Sequence, residues 1–270
     1  MAIVPMESTQ NTTVSALVNL LEDEDTHIST LAMEQLLQHQ DAEHLVAELQ
    51  ESASPVLRSR IHQLGSILNI RRARNEFISR VEGTGLSLWQ GLLEINYQYN
   101  PRLNQGQADK LLAELQEKLP KDMNTARLTA FMRNENFTYT GEDILGADLY
   151  LVEDVLTQRV GAPIILSVLA RQLGRQVGWN ATVVLFKGKH CLLDPRGHLI
   201  EPTENWRITR LPRHDNLHPC GNKEIWLTVL CQLYLSAMLE GRLLAIHRVG
   251  SILATLCGGE FRALPFPLGS

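Results

Sequence analysis

The stretch from Gly161 to Gly178 constrains the fold of this chain more than any other. Leu166, Leu169, Ala170, Leu173 and Val177 recur at i, i+3, i+4, i+7 and i+11, the spacing of one apolar helix face. Gly161-Ala162-Pro163 stands before it as a break. Proline suits a first helical turn, because the N–H it lacks would have no intrahelical partner there. Gly178 falls where a left-handed residue ends a helix. The pattern predicts a buried helix starting near Pro163. Strand signals follow at once, in the branched and aromatic run Ala181-Thr182-Val183-Val184-Leu185-Phe186. His190-Cys191-Leu192-Leu193 and His198-Leu199-Ile200-Glu201 then flank Asp194-Pro195-Arg196-Gly197. In that tetrapeptide the proline presets φ and the glycine is free to turn positive, so an antiparallel hairpin is expected.

The remainder reads as helix. Val14, Leu17, Val18 and Leu21 share one face and Ile61, Leu64 and Leu68 another, which predicts short amphipathic helices over residues 9–80. Their starts are signalled by Asp25-Thr26, Asp41 and Ser54-Pro55. Leu31 to Leu49 resembles a helical-repeat hairpin of the HEAT type, and a plain bundle stays equally open. Two further helices are expected between Leu86 and Leu119, broken at Asn100-Pro101, with Trp89, Leu92, Leu93 and Asn96 on one face. Leu149 to Gln158 reads as another. A polar loop is expected from Trp206 through Gly221. Beyond it, a stripe of Leu227, Leu230, Cys231, Tyr234 and Met238 and a helix from Leu243 to Leu256 resemble a tetratricopeptide-like hairpin.

Charge and cysteine usage exclude several classes of function. A net charge of −5 does not suit a chain held to nucleic acid by phosphate contacts. The one dense basic run, Arg71-Arg72-Ala73-Arg74, is expected on the solvated C-terminal end of a helix. Met1 to Pro5 carries no charged segment followed by an apolar one, and no apolar run is long enough to span a bilayer. Cys191, Cys220, Cys231 and Cys257 are irregularly spaced, without a CxxC, as in reduced cytoplasmic proteins. No glycine loop for phosphate and no dinucleotide fingerprint is present, so no cofactor is expected.

The order of elements is a helix, a break, a buried helix, a strand carrying His190, a turn, and a strand ending in Glu201-Pro202-Thr203. This order resembles the transglutaminase-like branch of the papain-like superfamily. Members of that family open the buried helix with a cysteine, carry a histidine on the first hairpin strand and end the next strand with an acid. The positive end of the helix lowers the thiol pKa, the histidine takes the proton and the acid orients the imidazole. The resemblance places His190 on the histidine, Glu201 on the acid and Pro163 on the nucleophile. The run Val155-Leu156-Thr157-Gln158-Arg159-Val160-Gly161-Ala162-Pro163-Ile164-Ile165-Leu166 is similar to a pattern of the bacterial SirB-type subfamily, as is Ala170-Arg171-x-Leu173-Gly174. Where that subfamily often has Pro-Gly-His-Phe, this chain has Lys187-Gly188-Lys189-His190-Cys191. The resemblance implies an α+β, predominantly helical protein with a small antiparallel sheet. Its expected parts are an N-terminal helical region (1–120), a transglutaminase-like core (121–215) and a C-terminal helical hairpin (216–270).

Proline cannot attack a carbonyl, so no catalytic residue is expected. The candidate cleft comprises His190, Glu201, Thr203 and Trp206. Strand alternation points Cys191 away from His190, which argues against a displaced nucleophile. Ser167 is expected at a packed helix face, and Arg159 and Arg171 in structural roles. His198, His214, Asp215, His218 and Cys220 are ligand types, but their spacing matches no zinc pattern and no metal is expected. The expected function is a non-catalytic module binding a peptide, a protein partner or a small ligand. A hydrolase using His190 and Glu201 with a water, and a structural subunit of an assembly, remain open.

Overall fold

The computed structural model describes residues 7–260, apart from 40, 53, 84, 104–105, 142–145 and 211–216. The chain divides into two compact units, between Glu76 and Phe77. The first holds α1 (Glu7–Leu20), α2 (Thr26–Leu36), α3 (Ala42–Leu49) and most of α4 (Pro55–Glu82). The Asp25 carboxylate caps α2 by accepting from the His27 N–H at 2.8 Å. Leu21, Ala32, Met33, Leu36, Val46, Leu57, Ile61 and Leu64 form this unit's core. The expectation of short helices is corrected at α4, which runs unbroken for 28 residues because no proline and only Gly65 interrupts it. Arg71 and Arg72 accordingly lie within α4 and not at its C-terminal end. Both sit on a solvent face, where Arg71 donates to Leu37 O at 3.1 Å and Arg72 pairs with Glu43.

The second unit is α+β and predominantly helical. Its helices are α5 (Leu88–Tyr99), α6 (Gln107–Glu117), α7 (Thr125–Asn134), α8 (Val152–Gln158), α9 (Pro163–Gln176), α10 (Asn222–Leu239) and α11 (Leu243–Leu256). A capping box between Ser87 and Gln90 starts α5. Pro163 is the first residue of α9, as the sequence predicts. That helix ends in a Schellman motif: Gly178 has φ +78°, its N–H donates to Arg175 O, and the Trp179 N–H donates to Gly174 O. Leucines, isoleucines and Ser167 along α9 are buried, making it the axis of the main core.

Five strands form one antiparallel sheet: β1 (Thr182–Phe186), β2 (Lys189–Leu193), β3 (His198–Glu201), β4 (Arg207–Arg210) and β5 (His218–Pro219), in the order β4-β3-β2-β1-β5. Lys187 and Gly188, at φ +49° and +79°, make the two-residue turn between β1 and β2. At the next turn the Gly197 N–H donates to Asp194 O and the Asp194 N–H donates to His198 O, while Gly197 takes φ +81°. This is a turn followed by a one-residue bulge. One sheet face carries Val183, Leu192 and Ile200 into the main core, and the other carries Val184, Cys191 and Leu199.

Three expectations are corrected in this unit. α7 was not anticipated. The supposed polar loop after Trp206 contains β4 and β5. β4 is an exposed edge strand rich in arginine, and β5 is two residues long and exists only through pairing with β1. Cys231 is exposed, because α10 is apolar nearly all round and its buried face runs through Ile225, Trp226, Val229, Leu233 and Ala237.

Candidate functional site

The N-terminus of α9 meets the β2 histidine in one cleft. Leu185 pairs with His190 and Val183 with Leu192, so alternation directs His190 to the sheet face that packs on α9. The Ser167 hydroxyl donates to His190 O at 3.4 Å and ties the strand to the helix. Ser167 is itself fully buried. A short parallel bridge between Thr138 and Val160, with the Gly161 N–H donating to Thr138 O at 3.1 Å, brings Tyr139 beside the start of α9. The Ala162 N–H donates to Leu149 O at 2.9 Å and brings Tyr150 to the same place. The result is a cavity of about 390 Å³ lined by Tyr139, Tyr150, Pro163, His190, Thr203 and Gln232, among others.

Pro163, His190 and Thr203 are therefore neighbours. Burial holds the His190 pKa below the ordinary histidine value, against an opposing pull from the Glu224 carboxylate, so the imidazole is neutral near pH 7. Ala162 offers α9 no side-chain cap, and the positive end of the helix faces the cavity through Ala162, Pro163 and Ile164. The Thr203 hydroxyl is buried with no hydrogen-bond partner among the described residues.

Glu201 and Trp206 do not line this cavity. Leu192 pairs with Ile200, which sets Glu201 across from Cys191, on the face opposite His190. The Glu201 carboxylate accepts instead from Arg207 Nη2 at 3.0 Å and from Thr209 Oγ1 at 3.3 Å. Trp206 is buried at φ +60°, and its Nε1 donates to Phe137 O at 2.7 Å. Cys191 is fully buried, and its thiol is pushed up to about 12, chiefly by burial and further by the Glu201 charge. Such a thiol is inert at neutral pH.

The other residues singled out by sequence are placed as follows. Arg159 ends α8 in the left-handed region, with its guanidinium 4.7 Å from the Phe137 ring centroid. Arg171 lies in α9, where burial lowers its pKa and Arg175 adds to the effect. His198 Nδ1 stands 2.8 Å from the Asp194 carboxylate. His214 and Asp215 lie outside the described residues. His218 and Cys220 converge with Glu224. Sequence reasoning missed Tyr139, Tyr150 and Gln232. Of these, only Gln232 carries a signal, as an amide inside an apolar helix.

No curated protein and no solved structure matches the chain. The family model of the transglutaminase-like superfamily matches residues 104–263 of the 270. That span covers α9, the whole sheet and both walls of the cleft, and the chain belongs to the transglutaminase-like superfamily.

Proposed function

We propose that this transglutaminase-like domain is a pseudoenzyme of SirB-type character that binds a peptide or small ligand in the cleft beside His190. Pro163 carries the proposal. It occupies the first position of α9, where the family resemblance calls for a thiol, and it faces the cavity that His190 lines. None of the lining residues is a cysteine. The lining supports binding instead: two phenols, an amide, two threonine hydroxyls, the Lys189 side chain and a neutral imidazole surround an apolar patch of Pro163 and Ile164. A cavity of this size and mixture suits a small molecule or one to two residues of a peptide. A reducing, cytoplasmic setting belongs to the same proposal, in keeping with four unpaired cysteines. A hydrolase using His190 and Glu201 as a pair is disfavoured by their opposite faces.

The test has two arms. Wild type and His190→Ala are assayed on peptide, amide and ester panels, and a short-peptide and fragment library is screened by ligand-observed NMR. We expect no turnover above that of His190→Ala. We also expect at least one ligand whose binding is lost in His190→Ala and Thr203→Val but kept in Arg72→Ala. A turnover that disappears in His190→Ala overturns the proposal, as does a library hit indifferent to both cleft variants.

A further inference from the structure

A second cluster of ligating side chains lies where β5 runs into α10. His218 pairs with Leu185, and the Cys220 N–H donates to Val183 O at 2.9 Å. Residues two apart on a strand leave the same face, so the His218 and Cys220 side chains emerge together. Glu224 joins them from the first turn of α10, held there by accepting from the Gly221 N–H at 3.4 Å. Its carboxylate oxygens lie 2.9 and 3.0 Å from His218 Nε2. One ligand atom from each of the three residues lies within 4.8 Å of the others.

We propose that His218, Cys220 and Glu224 form a binding site for a zinc-class divalent cation. The donor set is an imidazole nitrogen, a thiolate sulfur and a carboxylate oxygen. That combination suits Zn²⁺ and its neighbours and does not suit Mg²⁺ or Ca²⁺, which take oxygen ligands. Three protein ligands leave the fourth tetrahedral position to water. Zn–ligand bonds of about 2.0–2.3 Å hold donor atoms within roughly 4 Å of one another. The His218–Glu224 contact is already that close, and Cys220 needs only a side-chain adjustment. The sheet edge fixes two of the ligands and the helix start fixes the third, so the cluster is assembled before the cation arrives. Binding releases the Cys220 thiol proton to solvent and moves the His218 Nε2 proton to Nδ1 or to solvent, so that the hydrogen bond between His218 and Glu224 gives way to one metal bond from each. Leu185 pairs with both His218 and His190, so the site lies about 10 Å along the sheet from the cleft histidine. None of the three residues lines the cavity described above, although the Glu224 charge also acts on His190.

The untagged, chelator-treated full chain is titrated with Zn²⁺ by calorimetry and with Co²⁺ by absorption. One equivalent is expected, with a sulfur-to-cobalt charge-transfer band. Cys220→Ser removes that band. Cys220→Ser, His218→Ala and Glu224→Gln each weaken Zn²⁺ binding by about tenfold or more. Cys231→Ser and Cys257→Ser change neither. His218 and Glu224 are exposed, so their replacement spares the core. Absence of saturable binding overturns the proposal, and so does a band that survives Cys220→Ser. Should Cys220→Ser fail to fold, the wild-type cobalt spectrum decides alone, since a spectrum without sulfur character also overturns it.

Discussion

The indole of Trp226 lies against bare backbone at Gly91. A Cβ on Gly91 would stand 2.3 Å from Trp226 Nε1, and that same nitrogen donates to Leu88 O at 3.0 Å within α5. The ring thus joins α5 and α10 by a contact that only glycine permits. Gly91→Ala gains up to about 1 kcal/mol of helix propensity and loses about 1–3 kcal/mol to overpacking against a rigid ring. A net loss of stability is expected, read as a lower urea midpoint. Gly65→Ala in α4 is the comparison: its Cβ would stand 3.1 Å from Val46 Cγ1, a tight contact that one methyl relieves by shifting a few tenths of an ångström, and a smaller loss than that of Gly91→Ala is expected.

Asp194 holds the β2–β3 turn. Burial works to raise its pKa, but hydrogen bonds from the Thr125 hydroxyl, the His198 backbone and ring, and the Arg196 N–H outweigh it. The carboxyl is held below its ordinary value. A depressed folded pKa contributes stability above the unfolded value of about 3.9 and loses it as pH falls through the folded pKa. Asp194→Asn is expected to cost about 2 kcal/mol at pH 7, from charge-assisted hydrogen bonds lost at a buried site. The difference from wild type should shrink below about pH 4. Urea titrations at a series of pH values check both.

Thiol chemistry distinguishes the exposed helix cysteines from the buried cysteine of β2. In the native wild type, Cys231 and Cys257 are exposed and should alkylate, whereas Cys191 should react only after denaturation, given a thiol near 12. Pro163→Cys places a new thiol at the start of α9, where the helix dipole favours the thiolate. It should alkylate faster at pH 7 than any native cysteine. Site-resolved mass spectrometry against time measures this, and equal rates at position 163 and Cys231 would contradict it.

Trp206 serves the core and not the cleft. Trp206→Phe leaves the Phe137 carbonyl without its donor and should cost about 1–3 kcal/mol. Binding of any cleft ligand should be unchanged once the variant is folded. A calorimetric affinity that falls along with stability would place Trp206 nearer the cavity than its burial indicates.

Legibility in the sequence followed the range of the forces involved. α9, its proline start and its glycine end obey local rules, as does the turn at Asp194 to Gly197, and all were readable. The pairing of β5 with β1 was not, because two residues have no period of their own. The buried face of α10 was unreadable because apolar residues surround the helix. Tyr139 and Tyr150 reach the cleft through backbone bonds between distant segments, which no spacing encodes. Glu201 shows the finest distinction. Its position at the strand end was readable, but the face it occupies depends on a register set by β2 and β3 together.

The parity of that register has an evolutionary consequence. A codon change at position 163 would supply sulfur but would leave the acid at 201 turned away from the imidazole. Bringing it round requires β3 to slip by an odd number of residues, which would also expel Leu199 or Ile200 from its place in the interior. On the reading proposed above, position 163 and the parity of β3 are thus two separate departures from a thiol–imidazole–acid triad, and no single mutational step reverses both.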